Sequence, residues 1–410
     1  MKTPEEFLEE NGWTSAAKID RSRMIAHFIA EMDAGLAGRE SSLAMINSHL
    51  AAPGRESYAG RKAVVLDAGG TNLRGAVVSW DGAIEARRNQ SMPGVAREVS
   101  AEEFYKVFAG EVERLKPLAN TGKIGWCFSY PAKVTEDLDA QLIAWTKNIK
   151  APEIVGQHVG AELLKRLGGG VIAVVNDTVA TLLAAKATAG EKEYSSFIGF
   201  ILGTGSNTAY VDQDLGVIIN AEAGAFDKLP QSKFDEILDA RSGNPGRQRL
   251  EKMIAGAYLG PIGHEILKAA AKAGYFSRRG SSVITGLGNI STKELDDFCD
   301  GVADLNLPAD DLRLARRFVL PVFERAATLA AVELAAFVIK SGEGVQADEP
   351  VAICIDGATY YKTRSVDFAA TIKHELDDML VRRRNVHYEI VAKVEDAPLI
   401  GAAVAAIMGN

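Results

Sequence analysis

The chain has little cysteine: Cys127, Cys299 and Cys354 are the only three in 410 residues. An odd, widely spaced set builds neither a disulfide framework nor a zinc cluster. Two of the three lie in apolar, strand-like runs, so buried thiols in a reducing cytoplasm are expected. Long apolar runs are also missing. The longest, from Ala326 to Ile339, is interrupted by Glu333; it is too short to span a bilayer and predicts a buried helix. The opening MKTPEEFLEENGW is acidic and lacks the apolar segment of a signal peptide. Positive charge is not in excess: a net charge of −8 argues against a nucleic-acid surface, and Arg382-Arg383-Arg384 reads as a solvated helix end. Several signatures are absent. There is no G-x-x-x-x-G-K-[ST], no third glycine after GTGSN, no H-E-x-x-H and no G-x-S-x-G, and the six histidines are scattered. P-loop, dinucleotide-binding, zinc-hydrolase and serine-hydrolase chemistries are thereby disfavoured.

What is present is an ordinary globular composition, 47% hydrophobic and 24% charged, on a chain long enough for two or three domains. In the first sixty residues Phe7, Leu8, Trp13, Met24, Ile25, Phe28, Ile29 and Met32 recur every three to four positions. That predicts amphipathic helices, then a polar loop at Pro53-Gly54. The period next changes to two. KAVVLDA, LRGAVVSW and AIEARRNQS predict three strands, and Asp81-Gly82 predicts a type I′ hairpin turn, in which both central residues take positive φ. The same order returns in SSFIGFIL, GTGSN, TAYVDQ and GVIINAEA. Such a repeat predicts two similar α/β domains facing one another, each offering one glycine turn to the gap. From Pro261 onward the pattern is mostly helical, broken by the strand VAICID.

Four polar clusters carry the candidate chemistry. Asp67-Ala-Gly69-Gly70-Thr71-Asn72-Leu-Arg74 and Gly203-Thr204-Gly205-Ser-Asn207 are glycine turns; either is a tight corner or a phosphate cradle, and their repetition favours the cradle. Asn176-Asp177-Thr178 ends an apolar strand and opens an Ala/Leu-rich helix. One helix needs one cap, so three capping residues leave a carboxylate for other work. AWTKNIKAP presents Thr146 and Lys147 beyond an apolar run, where a lysine alone is most simply a surface residue. Glu222 at a strand end and Glu251 at helical spacing from Arg247 are a cap and an ion-pair partner when taken singly. Taken together, Asn, Asp, Glu, Thr and Lys at strand ends are groups that bind several hydroxyls at once, beside two phosphate cradles.

In these motifs the chain resembles the hexokinase family, of the eukaryotic hexokinase and glucokinase type, within the actin-like ATPase superfamily. LDAGGTNLR, FSYPAK, AWTKNIK, VVNDTVATLLA, ILGTGSNTAYV, NAEAGAF and SGNPGRQRLEKMIAGAYLG follow the family's order, and IDGATYYKT adds a match near the C-terminus. The resemblance implies a two-domain actin-like (ribonuclease H-like) α/β fold. Residues 1–60 would form a helical arm on the large domain, 61–175 the small domain, 176–397 the large domain, and 398–410 a helix returning to the small domain. It implies transfer of the γ-phosphoryl group of Mg-ATP to the 6-hydroxyl of a hexose, with glucose favoured. Ser129, Thr146, Lys147, Asn176, Asp177, Asn207, Glu222 and Glu251 would hold the sugar, Asp177 acting as general base and Lys147 assisting. Asp67, Gly69, Gly70, Thr71, Asn72, Arg74, Gly203, Thr204 and Gly205 would surround the triphosphate, and Asp356-Gly357 would lie near the adenosine. Mg²⁺ would arrive with the nucleotide and need no dedicated metal site. A cytoplasmic monomer or homodimer without nucleic-acid or membrane partners is expected. A non-catalytic sugar-sensing regulator of the same fold is the alternative. Three departures stand out: Ala223 where the family has tryptophan, Pro261 in place of an acid, and EDAPLIGAA in place of a Gly-rich DGSG stretch.

Overall fold

The two strand–turn–strand repeats fold into separate sheets with the same connectivity. The computed structural model describes residues 2–54, 58–146 and 148–409. In chain order the strands are β1 (Ile46–Ala51), β2 (Lys62–Ala68), β3 (Asn72–Ser79), β4 (Ile84–Ser91), β5 (Lys123–Phe128), β6 (Ala132–Val134), β7 (Ala140–Leu142), β8 (Val171–Val175), β9 (Ser196–Leu202), β10 (Ser206–Asp212), β11 (Val217–Asn220), β12 (Val351–Asp356) and β13 (Tyr388–Ile390). One sheet runs β4-β3-β2-β5-β8 and the other β1-β11-β10-β9-β12-β13, with β6 and β7 a small ribbon. In each, the repeat forms the antiparallel part (β2-β3-β4 and β9-β10-β11) and two further strands add in parallel, β5 and β8 or β12 and β13.

Two helices without a polar face lie between the sheets. The first, Asp177–Thr188, is buried from Thr178 through Ala185, and the second, Ala397–Met408, from Leu399 through Ile407. A helix apolar all round must be covered on every side, and these two share one core with Val65, Cys127 and Val175 of the first sheet and Phe197, Ala209 and Cys354 of the second. They cross backbone to backbone: a Cβ at Gly401 would stand 1.8 Å from the Ala180 carbonyl oxygen. Glycine is the residue that permits this approach.

The N-terminal helices, Pro4–Glu10 and Arg21–Leu36, bury Leu8, Phe28 and Met32, and the segment between them buries Trp13, in the same core as Ile198, Tyr210 and the long helix Ala309–Lys340. Arg325 of that helix stacks over the Trp13 ring, 3.6 Å from its centre, and forms a buried ion pair with Asp235 at 2.7 Å. Helical expectation fails at residues 46–51. That segment is β1, added antiparallel to β11, because the sheet edge offers backbone partners that a helical period in the sequence does not register. The Asp81-Gly82 turn is also not type I′. Gly82 has φ 82° while Asp81 is not among the positive-φ residues. Gly82 N donates to Ser79 O and Ser79 N to Ala83 O, both at 3.0 Å. This is the longer hairpin connection closed by a left-handed glycine, and Asp81 serves as an acceptor for Ser79 Oγ and Ala83 N. Pro261 falls in the first turn of the helix Leu259–Lys272, where its missing N–H costs no helical bond. Among the described residues no helix is long and apolar enough to cross a membrane.

Glu333 lies in the Ala326–Ile339 run, fully buried within that long helix. Its Oε1 accepts from Thr208 Oγ of β10 at 2.6 Å, and Oε2 has no partner among the described residues. Burial pushes its carboxyl up to about 8 from 4.5, against the smaller opposing effect of the Thr208 bond. The folded protein therefore holds a proton that the unfolded chain releases, and stability falls as pH rises from about 4.5 to about 8. Each unit is worth about 1.4 kcal/mol, so this one group makes a contribution of up to roughly 4–5 kcal/mol across that window. Glu333→Gln is expected to flatten the fall: near-equal melting temperature at the acid end, a higher one than the parent at the alkaline end, measured by thermal unfolding across that range. Parallel Tm–pH curves for the two proteins would contradict the assignment.

Candidate active site

The chemistry collects where parallel strands end, the usual place for ligands in open α/β sheets. Asp67 stands near the end of β2, Ser129 just past β5, Asn176-Asp177 past β8, Gly203 past β9 and Asp356 at the end of β12. Register does the rest in the first turn. Asp67 pairs with Arg74 across β2–β3 and with Cys127 across β2–β5. Arg74 Nε donates to Asp67 Oδ2 at 2.8 Å, and its Nη1 donates to Asp396 Oδ1 at 3.0 Å. Gly69 N closes the turn on Asn72 O at 3.0 Å, with Thr71 and Asn72 exposed at its tip. Tyr130 Oη donates to Gly69 O at 2.6 Å, which fastens the FSYPAK segment to the glycine turn.

In the second turn Gly203 N donates to Gly205 O at 2.9 Å, and Gly203 O accepts from Gly256 N and Thr359 Oγ, each at 2.8 Å. Thr204 is left exposed at the tip. The β9–β12 register sets Asp356 opposite Ile201, next to this turn, and Asp356 Oδ1 accepts from Gly357 N at 2.8 Å.

Asn176, not Asp177, is the cap of the helix behind β8: its Oδ1 accepts from Thr178 N at 2.8 Å. Among the described residues the Asp177 carboxylate takes one hydrogen bond, a long 3.4 Å contact from Thr178 Oγ. Burial raises the carboxyls of Asp67, Glu222 and Asp356, and the Asp177 charge adds to the rise in each. The surplus acid expected from the sequence is thus open to a ligand.

Asn207, Glu222 and Glu251 form one cluster. Asn207 Oδ1 accepts from Ala223 N at 3.2 Å, and Asn207 Nδ2 lies 3.4 Å from Glu222 Oε1. Glu222 sits in a left-handed conformation, φ 55°, which turns it out of line with β11. Glu251, in the helix Arg249–Ile254, accepts from Ser206 N at 3.0 Å and from Tyr258 Oη at 3.4 Å. A Cβ at Gly205 would stand 2.6 Å from Glu251 Oε2 and would push that carboxylate from its place. Burial raises the Glu222 carboxyl above its ordinary range; the Asn220 amide opposes, and Asp177 and Glu251 add to the rise. Burial likewise raises Glu251, against its bonds from Ser206 N and Tyr258.

Ser129 is half-buried beside Cys127, 3.9 Å from its thiol. Thr146 is exposed on the loop after β7, and no hydrogen bond among the described residues joins it to the carboxylate cluster. Trp145 anchors that loop, donating to Ala151 O at 2.8 Å and stacking edge-on to Tyr130. Lys147 lies outside the described residues. Sequence reasoning missed Asn220, Tyr258 and Asp396. Asn220 is the one with a visible signal, a polar residue closing the all-apolar strand VIIN. Asp396 takes φ 58° at the start of the last helix and pairs with Arg74 and Arg87. The EDAPLIGAA departure thus puts an acid, held by two arginines, where a left-handed turn would suit glycine.

Two glycine turns on repeated sheets, with a carboxylate between them, define a protein of the actin-like ATPase fold. Two family models, both described as hexokinase, match residues 9–187 and 197–408. A rice hexokinase is 32% identical, covering 95% of this chain and 88% of the relative, and an Aspergillus niger glucokinase is 28% identical, covering 84% of each. A hexokinase crystal structure superposes with a TM-score of 0.81 at 24% identity, over 99% of both chains. A Schistosoma mansoni hexokinase complexed with glucose gives 0.74 at 25% identity, over 98% of both. The chain belongs to the hexokinase family and is an enzyme that phosphorylates a sugar with ATP. The sugar-sensing regulator without catalysis is not favoured by these relatives.

Because burial raises both Glu222 and Glu251, acidification should protonate them earlier than exposed carboxyls. The KM for sugar is expected to climb as pH falls, beginning above the ordinary carboxyl range of about 4, while the KM for ATP changes less. Steady-state kinetics against pH test this, and a sugar KM that rises no earlier on acidification than the KM for ATP would contradict it.

Proposed function

We propose that the sugar is a hexose, with glucose favoured, and that the γ-phosphoryl group passes to its 6-hydroxyl with Asp177 as general base. The observation that carries this is the Asp177 carboxylate. It stands at the start of a buried helix between the two glycine turns, and the capping work is done by Asn176. A hydroxyl is a poor nucleophile at neutral pH, so a carboxylate in reach accepts its proton as the bond to phosphorus forms. Asn176, Asn207, Glu222 and Glu251 would bind the sugar from the large domain, and Ser129, Thr146 and Lys147 from the small one. The glucose complex of the Schistosoma relative supports glucose as the first sugar to test.

The triphosphate would lie between Gly69-Gly70-Thr71-Asn72 and Gly203-Thr204-Gly205, with Asp67 and Arg74 below it and Asp356-Gly357 toward the adenosine. The donor set fits Mg²⁺ brought by the nucleotide. Burial and, less strongly, the Asp177 charge act on both Asp67 and Asp356, and a bare triphosphate would be repelled by this set of acids. Such a cation keeps several waters and needs few protein ligands; its chemistry is to neutralise charge on the transferred group. The protein's own part is to orient both substrates and hold the proton on Asp177.

Asp177→Asn preserves size and most hydrogen bonds but not the ability to take the proton. It is expected to lose roughly 10²–10⁴-fold in kcat with hexose Kd changed far less. Near-parental turnover would remove the base assignment. Since the sugar groups come from both domains, hexose should also shift the population toward a closed form. Solution scattering is expected to give a smaller radius of gyration with saturating glucose, and superimposable profiles would count against closure.

A further inference from the structure

We propose that Asn220 is a positioning residue for sugar binding: it never touches the hexose but fixes Glu222 and Asn207 in the geometry that does. The inference rests on the reading of those two as sugar contacts.

Asn220 closes β11 and is only 5% exposed, so a ligand in the cleft cannot use it directly. Both ends of its amide are engaged by the cluster. Oδ1 accepts from Asn207 Nδ2 at 2.8 Å, and Nδ2 donates to Glu222 Oε1 at 2.9 Å. The polarity of this chain is set from outside. Asn207 Oδ1 accepts from Thr208 N at 2.7 Å and from Ala223 N at 3.2 Å, which leaves Asn207 Nδ2 as the donor toward Asn220. Asn220 must then accept with Oδ1 and present Nδ2 to the carboxylate. Glu222 Oε1 receives both amides, and Oε2 is left for a hydroxyl.

The arrangement matters because Glu222 is otherwise poorly held. Its backbone is left-handed, so β11 does not carry its side chain in register, and burial, helped by its like-charged neighbours Asp177 and Glu251, favours the protonated form. The Asn220 N–H opposes both, orienting the carboxylate and favouring its charged state. Hydrogen bonds to a charged, largely buried acceptor are among the stronger ones, and losing such a donor is felt at about tenfold or more in binding.

Two variants separate positioning from bulk stability. Asn220→Asp is isosteric; it keeps the acceptor for Asn207 and turns the donor facing Glu222 into a second acid. Asn220→Ala removes both bonds. Each is expected to raise hexose KM about tenfold or more with KM for ATP near the parental value. In each, the acidic climb of hexose KM should begin at a higher pH, because Glu222 then holds its proton more tightly. Glu222→Gln is the control: it should raise hexose KM and remove its own share of the pH dependence. If Glu222→Gln weakens the sugar while both Asn220 variants keep hexose KM and its pH profile within twofold of the parent, the positioning role is overturned alone. If Glu222→Gln leaves sugar binding intact, the sugar reading of Glu222 has failed and the inference falls with it. A lowered Tm with unchanged hexose KM in Asn220→Asp marks a purely structural residue and also overturns the proposal.

Discussion

Everything in the cleft depends on two apolar helices that have to be buried between the sheets. Asp177–Thr188 and Ala397–Met408 have no face that tolerates water, and they cross with the Gly401 backbone against Ala180. Covering them takes one sheet on each side, which brings the strand ends of both repeats toward a common gap. The first helix opens at Asp177 and the second just after Asp396. The hydrophobic contact that holds the two halves together therefore also sets Asp177 among the strand ends and pairs Asp396 with Arg74 of the first glycine turn.

The gap is acidic. Asp67, Asp177, Glu222, Glu251 and Asp356 lie on its strand ends, turns and helix starts, with Arg74 the cation shared between Asp67 and Asp396. Such a site is costly for a bare polyanion and favourable for a neutral polyol, whose hydroxyls donate to carboxylates, and for a nucleotide that carries its own cation. Glu222, Glu251 and Asp356 take their hydrogen bonds from amides, a phenol and backbone N–H groups. This keeps their acceptor atoms open and ties their ionisation to burial.

The glycine turns, the strands around them and the capping cluster at Asn176-Asp177-Thr178 were legible from the sequence because each rests on local chemistry. Glycine permits the turn, alternation gives the strand, and a surplus of caps betrays a free acid. Local signals failed where a neighbour made the decision. Residues 46–51 became β1 because the edge of β11 was there to pair with, and the Asp81-Gly82 hairpin took a longer connection that gave Asp81 two donors. Asn220 showed only as a polar residue closing an apolar strand, and its role came when Asn207 and Glu222 were brought to either side of it.

The sequence by itself determined which residues can do chemistry and the order in which they occur, since side-chain type and backbone freedom belong to each residue alone. The tertiary structure decided which of them meet. Arg74 and Asp396 are 322 residues apart, and Thr208 and Glu333 are 125 apart. No period or motif encodes such a pair. Only the packing of helices against both faces of the sheets brings its members within hydrogen-bond distance, and with that sets which carboxyls hold their protons and which are left open to a ligand.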